Sequence, residues 1–106
     1  MARGDTVSDI QSIAAGANLD FQPGAGVEVM ITEITSNQVA GTTPNKTPDL
    51  SVGLYNGTLF SNVRTAAEVN DWRRPLRLFI NNTRYLRITN TSGSTASVGY
   101  TGIQTK

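Results

Sequence analysis

The sequence predicts an all-β chain: an antiparallel β-sandwich, jelly-roll-like, of about eight strands. Three observations predict it. Apolar residues fall in short alternating groups bounded by Gly, Asn, Thr and Pro, the period-two pattern of strands with one buried face. Turn signals recur roughly every 8–12 residues, and no three-and-four spacing marks a helix. The 106 residues suit one domain able to bury roughly 60–70% of its unfolded surface without metal or disulfide staples. A single sandwich domain is expected over residues 9–106.

In chain order, residues 6–14 carry Val7, Ile10 and Ile13, an imperfect alternation. Residues 19–22 form a short strand that ends at the turn pair Pro23-Gly24. Residues 27–35 alternate through Val27, Val29 and Ile31. Ile34 then falls out of phase, which predicts a bulge or twist near Thr32–Glu33. Residues 36–48 read as a surface loop long enough to serve as a contact arm. Residues 50–55 and 58–63 flank Asn56-Gly57, a hairpin signal. A two-residue turn would set Leu54 opposite Leu59 and Leu50 opposite Val63. Residues 64–75 read either as an irregular connection or as a short helical turn capped by Thr65. The last strands are residues 74–80, 84–90 and 96–105.

Eight strands divide naturally into two packed four-stranded sheets. A jelly-roll would put the sixth and seventh strands in opposite sheets, whereas the short bend at residues 81–83 also permits direct pairing in a meander. Both topologies fit the pattern.

Composition removes most chemistry. The chain has no Cys and no His, so it has no disulfide, no thiolate and no imidazole base. Ser and Thr are abundant but lack an activating partner. Glu28 and Glu33 lie five residues apart on a bent strand with no third group evident, and no acidic loop has calcium-binding spacing. The expectation is a protein that is not an enzyme and holds no cofactor or metal. The N-terminal residues lack a secretory pattern, and no 18-residue apolar run crosses a membrane. Asn56-Gly57-Thr58, Asn81-Asn82-Thr83 and two similar triplets match the glycosylation acceptor pattern, but turn chemistry accounts for them.

Charge is unevenly distributed. Residues 1–71 hold all eight acids against three basic residues and carry −5. Residues 72–106 hold five Arg and Lys106 with no acid and carry +6. Such asymmetry marks an interaction surface, unless the halves neutralise each other internally. The arginines concentrate in DWRRPLRLFINNTRYLRITN, residues 71–90. There Leu76, Leu78, Ile80, Leu86 and Ile88 alternate inward, leaving Arg73, Arg77, Phe79, Tyr85, Arg87 and Thr89 outward. If these two strands paired, Arg77 would stand opposite Arg87, a repulsive arrangement that calls for a nearby carboxylate. Glu28 or Glu33 of the same subunit is one source, and another subunit is the other. Trp72 reads either as an anchor packing a loop on the sandwich edge or as an exposed binding aromatic. The candidate interface is therefore Arg3, Trp72, Arg73, Arg77, Phe79, Tyr85 and Arg87. Nucleic acid is not the expected partner, because net charge is only +1 with two lysines and no glycine-rich phosphate loop occurs.

Three segments carry a resemblance: IAAGANLDFQPGAGVEVMITEI (residues 13–34), PDLSVGLYNGT (48–58) and RPLRLFINNTRYLRITNTSGSTASVGYTGIQTK (74–106). In strand-and-turn style they resemble small β-sandwich virion proteins of tailed bacteriophages, the capsid decoration or cement proteins and short head-fibre modules. The resemblance implies a protein on the outer capsid surface of the virion, a dimer or trimer that binds and stabilises the major capsid protein lattice. It also implies an N-terminal arm, here residues 1–8, reaching onto that lattice. The alternative is a receptor- or carbohydrate-binding module of a phage tail or fibre, with Trp72, Tyr55, Phe60, Phe79 and Tyr85 as stacking faces.

Overall fold

The computed structural model describes residues 3–36, 50–66, 73–91, 93 and 95–106, the side chains of 63–66 and 73–76 excepted. Among the described residues there are eight strands: β1 (Thr6–Ile13), β2 (Asn18–Phe21), β3 (Val29–Ser36), β4 (Leu50–Tyr55), β5 (Phe60–Ala66), β6 (Arg73–Ile80), β7 (Tyr85–Asn90) and β8 (Ala96–Gln104). They form two antiparallel sheets, here sheet A in the order β1-β8-β3-β6 and sheet B in the order β2-β7-β4-β5. Two four-stranded sheets in this order make a jelly-roll sandwich. The chain alternates between the sheets except at β4–β5, its one hairpin between consecutive strands among those described.

Alternation decides what each sheet contributes to the core. Sheet A sends in Ile13, Val29, Ile31, Ile34, Leu78, Ile80, Ala96 and Val98; sheet B sends in Leu19, Leu50, Val52, Leu86 and Ile88. The phase break in β3 is a bulge, since the register to both neighbours shifts between Ile31 and Glu33. Against β8 the extra residue is Thr32, and it returns Ile34 to the inner face, where it is fully buried. Phe21 of sheet B and Tyr100 of sheet A stack across the interior with ring centroids 5.0 Å apart, within the range favoured for aromatic pairs.

Two expectations are corrected and one alternative is resolved. The hairpin closes at Tyr55–Phe60, not at a two-residue turn, so Leu54 faces Ser61 and Leu50 faces Ala66. Asn56 is the reason. Its Oδ1 accepts from the N–H groups of Thr58 and Leu59 at 3.0 and 2.7 Å, which builds a four-residue loop and leaves Leu59 exposed. Of the two topologies left open by the sequence, the jelly-roll is the one formed: β6 and β7 lie in different sheets, so Arg77 does not oppose Arg87. The bend between them crosses the sandwich. In the other correction, residues 64–66 are strand, neither a helical turn nor an irregular connection. Residues 67–72 of that connection, Trp72 included, and the loop at 37–49 lie outside the described residues. Residues 6–8, expected in an arm, pair with Ile103, Gly102 and Thr101 of β8.

Candidate functional site

Because β6 and β7 part company, the predicted interface divides between two opposite faces. Arg77 and Phe79 point outward from sheet A; Tyr85 and Arg87 point outward from sheet B. Arg73 opens β6 opposite Thr35, and its side chain lies outside the described ones. Arg3 is exposed beside the turn where the Gly4 N–H donates to the Gln104 carbonyl at 2.7 Å.

On sheet A, cross-strand register aligns Ile103, Met30 and Phe79 in one row over β8, β3 and β6. Ile103 is 41% and Phe79 56% exposed. Ile10 of the edge strand β1 is also exposed, and a hollow of about 420 Å³ lies beside it between Thr35 and Thr101. Opposite Ile10 stands Gly99, where a Cβ would approach the Ile10 side chain to 3.0 Å. Sequence reasoning finds Phe79 but misses Ile103 and Met30. Both are legible as the out-of-phase members of Gly102-Ile103-Gln104 and Val29-Met30-Ile31.

Sheet B presents a different surface. Asp20 on β2 is the register partner of Arg87 on β7. The guanidinium donates through Nε and Nη2 to the two carboxylate oxygens at 2.8 and 2.7 Å. It also lies over the Tyr55 ring, 3.5 Å from its centroid, where cation–π attraction adds to the ion pair. Tyr85 meets Tyr55 edge-on at 5.7 Å. The hydrogen bond to Asp20, first, and that carboxylate's charge hold the Arg87 proton more tightly than usual, against a smaller opposing effect of burial. Arg87 therefore finds its counter-charge in its own chain. The carboxylate belongs to Asp20, not to Glu28 or Glu33. Glu28 instead accepts from the Thr105 hydroxyl at 2.9 Å, and Glu33 belongs to sheet A.

At the end of the sandwich beyond Tyr55, two turns of the same build flank a groove of about 470 Å³. The Asn81 Oδ1 accepts from the Thr83 and Arg84 N–H groups, each at 2.9 Å, while its own N–H donates to the Arg84 carbonyl at 2.8 Å. Asn56 does the same for Thr58 and Leu59, its N–H donating to the Leu59 carbonyl at 3.2 Å. Each turn thus fixes its fourth residue, Leu59 or Arg84, at the groove wall. The acceptor-like triplets at Asn56 and Asn81 are turns. Among the described residues no cluster of three or more acidic side chains could hold a metal ion.

Comparison with known proteins adds no family: no family model and no curated protein matches the chain.

Proposed function

We propose that this chain is a non-enzymatic structural protein of a tailed-phage virion, a decoration protein that seats on the coat-protein lattice through the outer face of sheet A. The observation that carries the reading is the in-register row Ile103–Met30–Phe79, exposed at both ends, with Arg77 on the same side of the sheet. Large apolar side chains aligned across three strands favour burial against a partner. Wholly burying such a side chain stabilises by roughly 1.5–3 kcal/mol, and about half of that is still on offer at the exposures of Phe79 and Ile103. The resemblance to cement proteins supplies the partner. Undecorated heads of the phage that encodes the chain should bind the purified protein and melt at higher temperature. Phe79→Asp and Ile103→Asp should abolish both effects while leaving the free protein folded; absence of binding at physiological salt defeats the proposal.

The second reading, a carbohydrate-binding module of a tail or fibre, is favoured by different side chains. Tyr55, Phe60 and Tyr85 collect at one end of sheet B beside the groove.

A further inference from the structure

We infer that the groove at the tip of sheet B is a binding site for an acidic sugar, a pyranose bearing a carboxylate such as a uronic or sialic acid. The inference rests on the carbohydrate reading and is independent of lattice docking, which uses the other sheet.

The groove has about the right volume for a one- or two-ring ligand. Its walls are mixed in a particular way. Phe60 is 39% and Leu59 70% exposed, so apolar surface faces water in an open channel rather than closing a dry cavity. Ser61 and Asn56, both with polar side chains, line the same groove. A wholly apolar ligand would leave these polar groups without partners, and a wholly polar one would leave the rings uncovered. A pyranose satisfies both, with an apolar face for a ring and hydroxyls around its rim.

Two features give the groove rigidity. Arg87 covers one face of Tyr55 and is itself held by Asp20 at two points. Since Tyr55 lines the groove and Arg87 does not, Tyr55 offers the ligand its remaining face or edge in a fixed orientation. Asn56 supports its loop through Oδ1, so its Nδ2 hydrogens are the part of the amide left to donate. Preorganisation of this kind lowers the ordering cost of binding.

Arg84 decides the charge. Its backbone is locked by Asn81 at 2.9 and 2.8 Å; the residue lines the groove, and its guanidinium has no ion-pair partner among the described residues. A planar guanidinium beside aromatic rings recognises a carboxylate by two parallel hydrogen bonds. An acidic peptide would also satisfy Arg84, but it would extend along the edge strand β5 and has no use for the polar side chains of Asn56 and Ser61.

The test is titration of the isotope-labelled full chain with sialyllactose, digalacturonate and neutral lactose, monitored by backbone amide shifts. Acidic sugars should shift the amides of Tyr55, Asn56, Ser61 and Arg84. Arg84→Gln should weaken acidic-sugar binding about tenfold or more, to the level of lactose. Phe60→Ser should remove binding of all three sugars, and the milder Leu59→Ser should weaken it should the first variant not fold. Equal binding of lactose and the acids, unchanged in Arg84→Gln, overturns the inference and leaves the carbohydrate reading standing. No shift from any sugar overturns both. Shifts running the length of β5 with an acidic peptide, and none with sugars, replace the ligand class.

Discussion

Arg87 and Asp20 meet as direct register partners across β7 and β2, joined by two hydrogen bonds of 2.8 and 2.7 Å. Their side chains retain 21% and 34% exposure, so solvent screens the pair and its net contribution is modest. Exposed pairs are worth up to about 1 kcal/mol, with two-point geometry at the upper end. The stacking on Tyr55 ties this pair to the third strand of the sheet. One arginine of the basic half is thereby engaged inside the chain, which leaves Arg77, Arg84 and Lys106 as that half's outward charges among the described side chains.

Arg87→Met should therefore destabilise the folded protein by about 1 kcal/mol, and Arg87→Glu by more, because it sets two carboxylates in register. A double-mutant cycle with Asp20→Asn, read by urea unfolding, should return a coupling energy of about 0.5–1 kcal/mol. A coupling of zero would mean that the geometry contributes nothing to stability. Arg77→Glu should leave stability within about 0.5 kcal/mol of the parent, since Arg77 is exposed on the other sheet.

Local features of the fold are legible in the sequence. Period-two alternation locates all eight strands, and the misplaced phase of Ile34 locates the bulge at Thr32, because burial of one face acts residue by residue. Pairing is not legible in the same way. The short bend after β6 would permit a hairpin as readily as a crossing; it crosses between sheets, and nothing within it encodes which partner β6 finds in β3, 38 to 51 residues earlier. The ambiguity extends to the site. Adjacent β6 and β7 would set Arg77 against Arg87, and Asp20, 67 residues from Arg87 in the chain, has no local signal to recommend it. The hairpin departs from expectation for a chemical reason instead: Asn-Gly suits a two-residue turn, but here the Asn56 side chain captures two later N–H groups and lengthens the loop.

Gly53 should resist substitution. It sits where β5 carries its irregularity, between Val52↔Arg64 and Gly53↔Asn62, and a Cβ there would run into the Ser61 carbonyl and come within 3.0 Å of the Asn62 Cα. Backbone cannot yield as a side chain does. Gly53→Ala should cost at least about 1–3 kcal/mol, whereas Gly24→Ala, with open space around it, should stay within about 0.5 kcal/mol. Thermal melts of the two variants side by side decide the matter, and equal melting temperatures would contradict the close approach of β4 and β5.

Asn90 should prove a structural residue despite its place in a polar triplet. It is fully buried, and its Nδ2 donates to the Ile13 carbonyl at 3.0 Å. Its backbone N–H donates to the Ala17 carbonyl at 3.0 Å, and its carbonyl accepts from the Gly16 N–H at 2.8 Å. The residue thus fastens the β1–β2 connection to the end of β7. Asn90→Ala removes the side-chain donor from a buried carbonyl and should cost about 1–3 kcal/mol. Asn90→Asp should cost more at neutral pH, because a carboxylate only accepts and would face a carbonyl acceptor. Urea unfolding of both variants at pH 7 checks the order; the reverse order would mean that the side chain is not donating.

Tyr100 gives the protein an alkaline limb of stability. Burial, first, and the nearby Asp9 charge raise its hydroxyl above the ordinary value of 10.0. In the unfolded chain the hydroxyl ionises near that ordinary value, but in the folded protein it keeps its proton to higher pH. The unfolded state thus binds fewer protons above about pH 10, so stability is fully present below that point and declines as pH rises toward the folded value. The decline is bounded at about 1.4 kcal/mol per pH unit for one group. Tyr100→Phe keeps the ring that stacks on Phe21 and removes the ionisable group. Urea unfolding from about pH 8 to about pH 11 should give a falling curve for the parent and a flatter one for Tyr100→Phe. Parallel curves would assign the alkaline limb to other groups.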